Sequence, residues 1–572
     1  MQLVKNFLFS EKIREWIGYF IIGIFLVTLI LPIIYLGIRA VSDKSGNFIG
    51  ILNFKEYLTN PAVLKSFFNT VNISILTTIF TIVIGSVYAY GMSRCNISGK
   101  RLLKLIVLLP LFAPTMLHGI SLIYLFGRKG IITTGFFGKY PFLATDISLY
   151  GPVGIVISEI IYALPQVYLI LSISLKNSDY RLYEAGKTLG SSNFKQFLTI
   201  TLPSMKYALI SSTIVTFILS FTDLGAPKVV GGNYNVLATD IYKQVIGQQE
   251  LGKGAVVSIL LIIPAVISFA LQRSIDNKQR DAFNAKSSAY RIEKNSFRDI
   301  TIGIFCYGIS FGIILIFLTS VVASFTKMWP YDFSFVLNNY KFFDYNGGAM
   351  AFYRNSIKIA FLTGILGTAL AFFSSYISTK VNNMKIIKEL IGFFALIPLA
   401  LPGMVLGLGY IFFFNLVTLN IPFLGEVRNP FNNLYGTLWI LVFVNIIHFF
   451  SVAFITASTA LKKLDKEFEI VSLSMGIPWY KTFFKVTVPL TREAIGEIFI
   501  YYFINAMTTV SAAIFLYTSK TTLASIAMIN LDEVGDQSKA AAMGVLIILT
   551  NLIVKLVYEL IIKNKKRRKT EE

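Results

Sequence analysis

Residues 183–203 read Tyr183-Glu184-Ala185-Gly186-Lys187-Thr188-Leu189-Gly190, then nine residues, then Ile200-Thr201-Leu202-Pro203. Ser178 or Asp179 can cap a short helix in which Leu182, Ala185 and Leu189 share one face, and Gly190 suits the left-handed turn that ends it. Ser191 or Ser192 can cap a second short helix, with Pro203 marking entry to the next apolar run. A helix, a glycine turn and a second helix with an apolar stripe make an elbow suited to a groove on a partner. The chain writes this elbow twice. Residues 469–476 read Glu469-Ile470-Val471-Ser472-Leu473-Ser474-Met475-Gly476, and Val486-Thr487-Val488-Pro489 follow. The spacing from Gly190 to Pro203 (203 − 190 = 13) recurs from Gly476 to Pro489 (489 − 476 = 13). Pro478 suits the first turn of the second elbow's second helix.

Outward from the elbows the same offset organises the chain. Asn69-Thr70 matches Asn355-Ser356 (355 − 69 = 286), and Leu237-Ala238-Thr239 matches Leu523-Ala524-Ser525 (523 − 237 = 286). Pro110, Pro114 and Gly119 match Pro398, Pro402 and Gly407 at an offset of 288 (398 − 110). Around these landmarks lie roughly twelve apolar runs, each about 20 residues long, enough to cross a hydrocarbon core as a helix. They are 16–40, 68–93, 102–126, 151–175, 207–226 and 255–271, then 300–323, 357–377, 390–414, 435–461, 495–517 and 540–562. Period-two alternation is absent, so a barrel is excluded. The expected fold is all-α and polytopic, with two parallel six-helix repeats related by an axis along the membrane normal. Residues 1–272 form the first repeat, with its elbow at 178–203. A basic linker, 273–298, leads to the second repeat, 299–572, with its elbow at 464–489.

Composition agrees. The 572 residues are 55% hydrophobic and 14% charged, with a mean hydropathy of +0.67, more apolar surface than a water-soluble domain buries. The first run is too long for a signal-peptide core and lacks a small-residue cleavage site, so it is expected to stay as a span. The net charge of +22 gathers in alternate loops and at both ends. Because Lys and Arg accumulate on the cytoplasmic side, both termini, the linker and both elbows are expected there. No compact basic domain exists to bind nucleic acid, and membrane headgroups account for the charge. Cys95 and Cys306 have no metal-ligand spacing around them, and His118 and His448 are far apart, so no metal site is expected. Gly186-Lys187-Thr188 has Arg181 where a phosphate-binding loop needs glycine, so the chain carries no ATPase motif. No hydrolytic constellation is present either.

The elbows resemble the permeases of binding-protein-dependent ATP-binding-cassette importers, marked by Glu-Ala-Ala-x3-Gly-x9-Ile-x-Leu-Pro. Glu184, Ala185, Gly186, Gly190, Ile200, Leu202 and Pro203 carry the likeness in the first half. The second half is looser. Ile470 stands where the acid would be and Glu469 one place earlier; Val486 and Val488 replace Ile and Leu before Pro489, and Gly476 is kept. The resemblance implies that both elbows are coupling helices receiving the motion of a separate cytoplasmic ATP-binding subunit, a homodimer that holds ATP and Mg. It also implies an extracytoplasmic solute-binding protein and a multi-pass location in a prokaryotic plasma (inner) membrane.

Over the whole chain the likeness is to fused permeases of ferric-iron and 2-aminoethylphosphonate importers. Two stretches carry it, Phe221-Thr222-Asp223-Leu224-Gly225-Ala226-Pro227 and onward to Tyr242, and Thr508-Thr509-Val510-Ser511-Ala512-Ala513 to Tyr517. Both are more similar to the aminoethylphosphonate branch. A small phosphonate is therefore the expected solute, with ferric iron as the alternative. Polar groups in apolar runs often mark a pathway. Asp223, Thr239, Asn505, Thr508, Thr509 and Ser525 are the expected lining, with Asp223 facing the passage or a basic partner and Thr509 across the axis. Glu159 is read either as lining or as an interhelical hydrogen-bond partner. An ion-gradient-driven transporter of six-plus-six repeats is the rival mechanism, and it calls for more midplane carboxylates than Glu159 and Asp223.

Overall fold

A computed structural model describes residues 2–282, 290–341, 349–381, 384–421, 425–465 and 467–571. The middle of the expected linker, 283–289, lies outside the described residues. The protein is an all-α, polytopic membrane protein, and the only strands among the described residues form two short hairpins. Among the described residues, eight helices are long and apolar enough to cross a membrane, or up to eleven spans if each of three bent pairs counts as one. Large apolar side chains such as Trp16, Phe20, Phe68, Leu105, Ile304 and Phe311 cover the outside, as contact with lipid requires. Inside, small and hydroxyl-bearing residues let backbones approach. In Pro61–Arg94, the hydroxyls of buried Thr70, Ser74 and Thr78 donate to the carbonyl four residues back, at 2.6–2.8 Å. Each hydroxyl thus donates within its own helix.

Several spans expected to be continuous are broken. Lys100–Phe112 and Thr115–Phe126 are bent by 107°, and Lys385–Ala400 and Gly403–Phe414 by 113°. The cause is Pro114 and Pro402: proline has no N–H to donate and pushes the preceding residue out of helical backbone. Ala113 (φ −114°, ψ 144°) and Leu401 (φ −111°, ψ 115°) are accordingly extended. The tenth span bends by 55° between Leu438–His448 and Phe450–Lys462. The fifth and eleventh spans end earlier than their apolar runs, at Thr222 and Thr508. There Asp223 (φ −70°, ψ 136°) and Thr509 (φ −66°, ψ 137°), equivalent positions (509 − 223 = 286), turn extended. Short helices follow each break, Gly225–Val230 and Leu237–Tyr242 in the first half and Ala524–Glu533 in the second.

The halves interlock by exchanging their first spans. Ile21, Phe25 and Leu29 of the first span belong to the core of the second half, and Phe25 meets the Phe450 ring edge-on at 4.9 Å. Reciprocally, the seventh span, Ser296–Phe325, packs on the first half, where the Ser310 and Tyr88 hydroxyls hydrogen-bond at 2.8 Å and His118 meets Phe317. The twelfth, Gln537–Glu571, crosses too: Asn551 Nδ2 donates to the Phe112 carbonyl at 3.0 Å. A Cβ on Gly544 would stand 2.5 Å from a Leu117 methyl, so a larger residue there would have to displace the Leu117 side chain.

Candidate functional site

Both elbows form as the capping residues dictate. Asp179 caps Tyr180–Thr188 by accepting from the Arg181 amide at 3.1 Å, and Ser192 caps Asn193–Gln196 by accepting from the Lys195 amide. In the second half Glu467–Ser474 leads to Trp479–Thr482, with Pro478 at the cap position, one place earlier than expected. Gly190 and Gly476 are left-handed, at φ +71° and +65°. Each elbow then runs through a π-helical turn, Phe197–Thr201 or Phe483–Thr487, into the next helix.

The apolar stripe faces outward. Leu182, Leu189 and Phe194 are exposed in the first elbow, and Phe468, Ile470, Val471 and Met475 in the second. Glu184, Ala185, Leu202 and Pro203 are also exposed, Gly186 and Ile200 half-buried. A Cβ on Gly186 would stand 3.3 Å from Ile200 Cδ1, so these two motif positions hold the two arms of the elbow together. At the equivalent of Gly186 the second elbow has Ser472, whose hydroxyl accepts from Thr482 Oγ1 at 2.7 Å. The looser motif thus replaces a close approach by a hydrogen bond. Glu469 is half-buried and pairs with Lys380 at 3.4 Å. Gly476, Val486 and Val488 are half-buried and Pro489 exposed.

Residues not singled out in the sequence hold the elbows to the bundle. Arg94, 2% exposed, donates to the Leu175 carbonyl at 2.8 Å and to Ser178 Oγ. Its guanidinium lies 3.6 Å from the Tyr290 ring centre and 5.3 Å from that of Tyr183. Lys380 is its equivalent (380 − 94 = 286) and donates to the Leu464 carbonyl at 3.0 Å. Tyr90 packs on Phe197, and Tyr376 on Phe483, again 286 residues apart. The repeat offset was the signal that could have found them. The first elbow touches the linker: Lys187 pairs with Glu293, and this hydrogen bond holds the Glu293 carboxyl below its ordinary range.

At the other end of the bundle, Asn69 Nδ2 donates to the Asn235 carbonyl and Asn355 Nδ2 to that of Lys520. Thr70 and Ser356 hydroxyls accept from the Leu237 and Ala524 amides at 2.9 and 2.8 Å. The repeated dipeptides therefore pin the segments that follow the fifth and eleventh spans. Lys228 of the first half pairs with Glu533 of the second at 2.7 Å, over the Tyr242 ring.

The expected lining residues divide. Thr239, Thr509 and Ser525 are buried. Thr239 Oγ1 accepts from the Val236 amide at 3.0 Å, and Ser525 Oγ donates to the Thr509 carbonyl at 2.6 Å. Asp223, Asn505 and Thr508 keep part of their surface, though Asn505 and Thr508 side chains also donate to the carbonyls of Tyr501 and Ile504. Asp223 accepts from Thr115 Oγ1 at 3.0 Å and the Ala226 amide at 2.9 Å, so its partners are a hydroxyl and a helix start. No basic partner of Asp223 is found among the described residues. Glu159 accepts from Thr77 Oγ1 at 3.0 Å and from Ser220 Oγ, an interhelical hydrogen-bond role.

A family model described as "Binding-protein-dependent transport system inner membrane component" matches the chain twice, at residues 81–281 and 367–567. The ferric transport system permease protein FbpB of Actinobacillus pleuropneumoniae is 26% identical over 94% of this chain and 75% of that one. A putative ferric transport system permease protein FbpB 1 of Haemophilus influenzae is 27% identical over 81% of this chain and 72% of its own length. A probable ABC transporter permease protein, y4fN, of Sinorhizobium fredii is 20% identical over 93% of each.

Proposed function

The chain belongs to the family of binding-protein-dependent transport system inner membrane components, one family unit in each half, and we propose that it is the whole membrane passage of a ferric-iron importer. It is an ATP-binding-cassette importer permease: a multi-pass inner-membrane transport component that works with an ATPase and a substrate-binding protein. The observation that carries the docking role is the pair of outward apolar elbows, each closed by a left-handed glycine. An ATPase homodimer holding ATP and Mg offers two equivalent grooves, and the two-halved chain supplies one elbow to each. The termini and elbows then lie on the cytoplasmic side, in accord with the basic loops.

Ferric iron is favoured as cargo because ferric permeases are similar to this chain over nearly its full length. The phosphonate expectation rested on two local stretches, and the full-length likeness outweighs them. The test is uptake into vesicles holding the permease with its ATPase and binding protein, supplied in turn with radiolabelled ferric chelate and 2-aminoethylphosphonate. ATP-dependent accumulation of iron alone is expected; accumulation of the phosphonate alone would reverse the assignment.

A further inference from the structure

We propose that Tyr162, Asp223 and Tyr501, with His448 beside them, form a waypoint for the ferric ion between the two halves, an inference that rests on the ferric cargo proposed above. All four are half-buried and keep part of their surface accessible. Asp223 is within electrostatic reach of Tyr162 and Glu159, and Tyr162 of Tyr501, which belongs to the other half. Tyr501 meets the Phe449 ring edge-on at 6.1 Å, and Phe449 lies against His448 at 4.4 Å.

The strip ends at both helix breaks. Asp223 accepts from Thr115, the residue after Pro114, and a Cβ on Gly403, the residue after Pro402, would stand 3.1 Å from His448 Cε1. Tyr162 and His448 are themselves equivalent positions (448 − 162 = 286), so the strip straddles the pseudo-twofold axis. Two of its polar atoms have no hydrogen-bond partner among the described residues, Nδ1 of His448 and Oε1 of Glu159, and Glu159 is 2% exposed. A buried polar atom without a partner is costly, and a bound ion or water is one way to satisfy it.

The donor chemistry selects the ion. Carboxylate and phenol oxygens are hard donors suited to a hard cation, and imidazole also serves iron. Among the described residues no lysine or arginine hydrogen-bonds to or pairs with Asp223 or Glu159, whose side-chain partners are hydroxyls and a backbone amide. A phosphonate would meet two carboxyl groups there with no basic partner. Among the described residues no three His, Cys, Asp or Glu side chains gather into a chelating set. Donors strung along a route let an ion step onward, where a closed cage would hold it.

The test titrates ferric nitrilotriacetate into the purified permease and, separately, measures iron uptake by the assembled transporter. Phenol bound to ferric iron as phenolate gives a visible charge-transfer absorption. The wild type is expected to show it, and the isosteric double variant Tyr162→Phe/Tyr501→Phe to lose it together with about tenfold or more of the uptake, with ATPase capture unchanged. If the wild type carries iron but shows no such band, or the double variant keeps the band or the uptake, the waypoint is refuted and the importer stands. If the wild type carries no iron, the cargo assignment itself has failed and the waypoint with it.

Discussion

Gly190 and Gly476 offer a direct measure of how elbow geometry supports docking. Both are left-handed, and a Cβ built at either meets nothing within 4 Å, so substitution there costs backbone strain and no clash. A β-branched residue at such φ costs about 1–2 kcal/mol, a factor of about 5–30 in the population of the formed elbow. Asn tolerates the left-handed region. Gly190→Val and Gly476→Val should therefore weaken ATPase capture by detergent-solubilised permease about 5- to 30-fold, with Gly190→Asn and Gly476→Asn close to wild type. The sites lie on separate elbows, so the double Val variant should show the sum of the single effects. Amide hydrogen exchange in Tyr180–Thr188 and Glu467–Ser474 reports elbow opening directly. Equal losses for Val and Asn, or full capture by both Val variants, would refute the reasoning.

Three further outcomes are expected. Arg94→Ala removes charged hydrogen bonds and ring contacts worth about 3 kcal/mol together; amide exchange should accelerate in Tyr180–Thr188 and stay unchanged in Glu467–Ser474, and equal acceleration in both would show that Arg94 is not specific to the first elbow. Lys228→Glu and Glu533→Lys each place like charges where the two halves meet, so either alone should lower uptake and the double exchange should restore it; two silent single variants would remove any role for the pair. Cysteines introduced at Asn338 should react with a membrane-impermeant reagent outside intact cells, whereas those at Lys278 and Lys566 should not, and the opposite pattern would invert the topology and move the elbows away from the ATPase.

The sequence by itself determined the membrane class, the two halves and the elbows. Each rests on signals local in the chain: apolar run length, the 286-residue offset, and caps and glycines whose conformational preferences act within a few residues. Pro114 and Pro402 were legible as a repeated pattern, but the turns of more than 100° they cause were not, because run length alone does not distinguish a straight span from two bent segments. Tertiary structure decided what depends on neighbours distant in sequence. Asp223 and Thr509 were selected for polarity in apolar runs, yet Thr509 is buried and its carbonyl is held by Ser525. Tyr162 and Tyr501 carry no distinguishing signal in the sequence, since a tyrosine in an apolar helix has the composition of ordinary core. In the sequence Arg94 is one more charge beside an apolar run; its role comes from Leu175, Ser178 and Tyr290, which close around it. The exchange of first spans between halves has no local signature, because any of these apolar helices can pack on lipid or protein, and only complementary surfaces such as Phe25 against Phe450 choose between them.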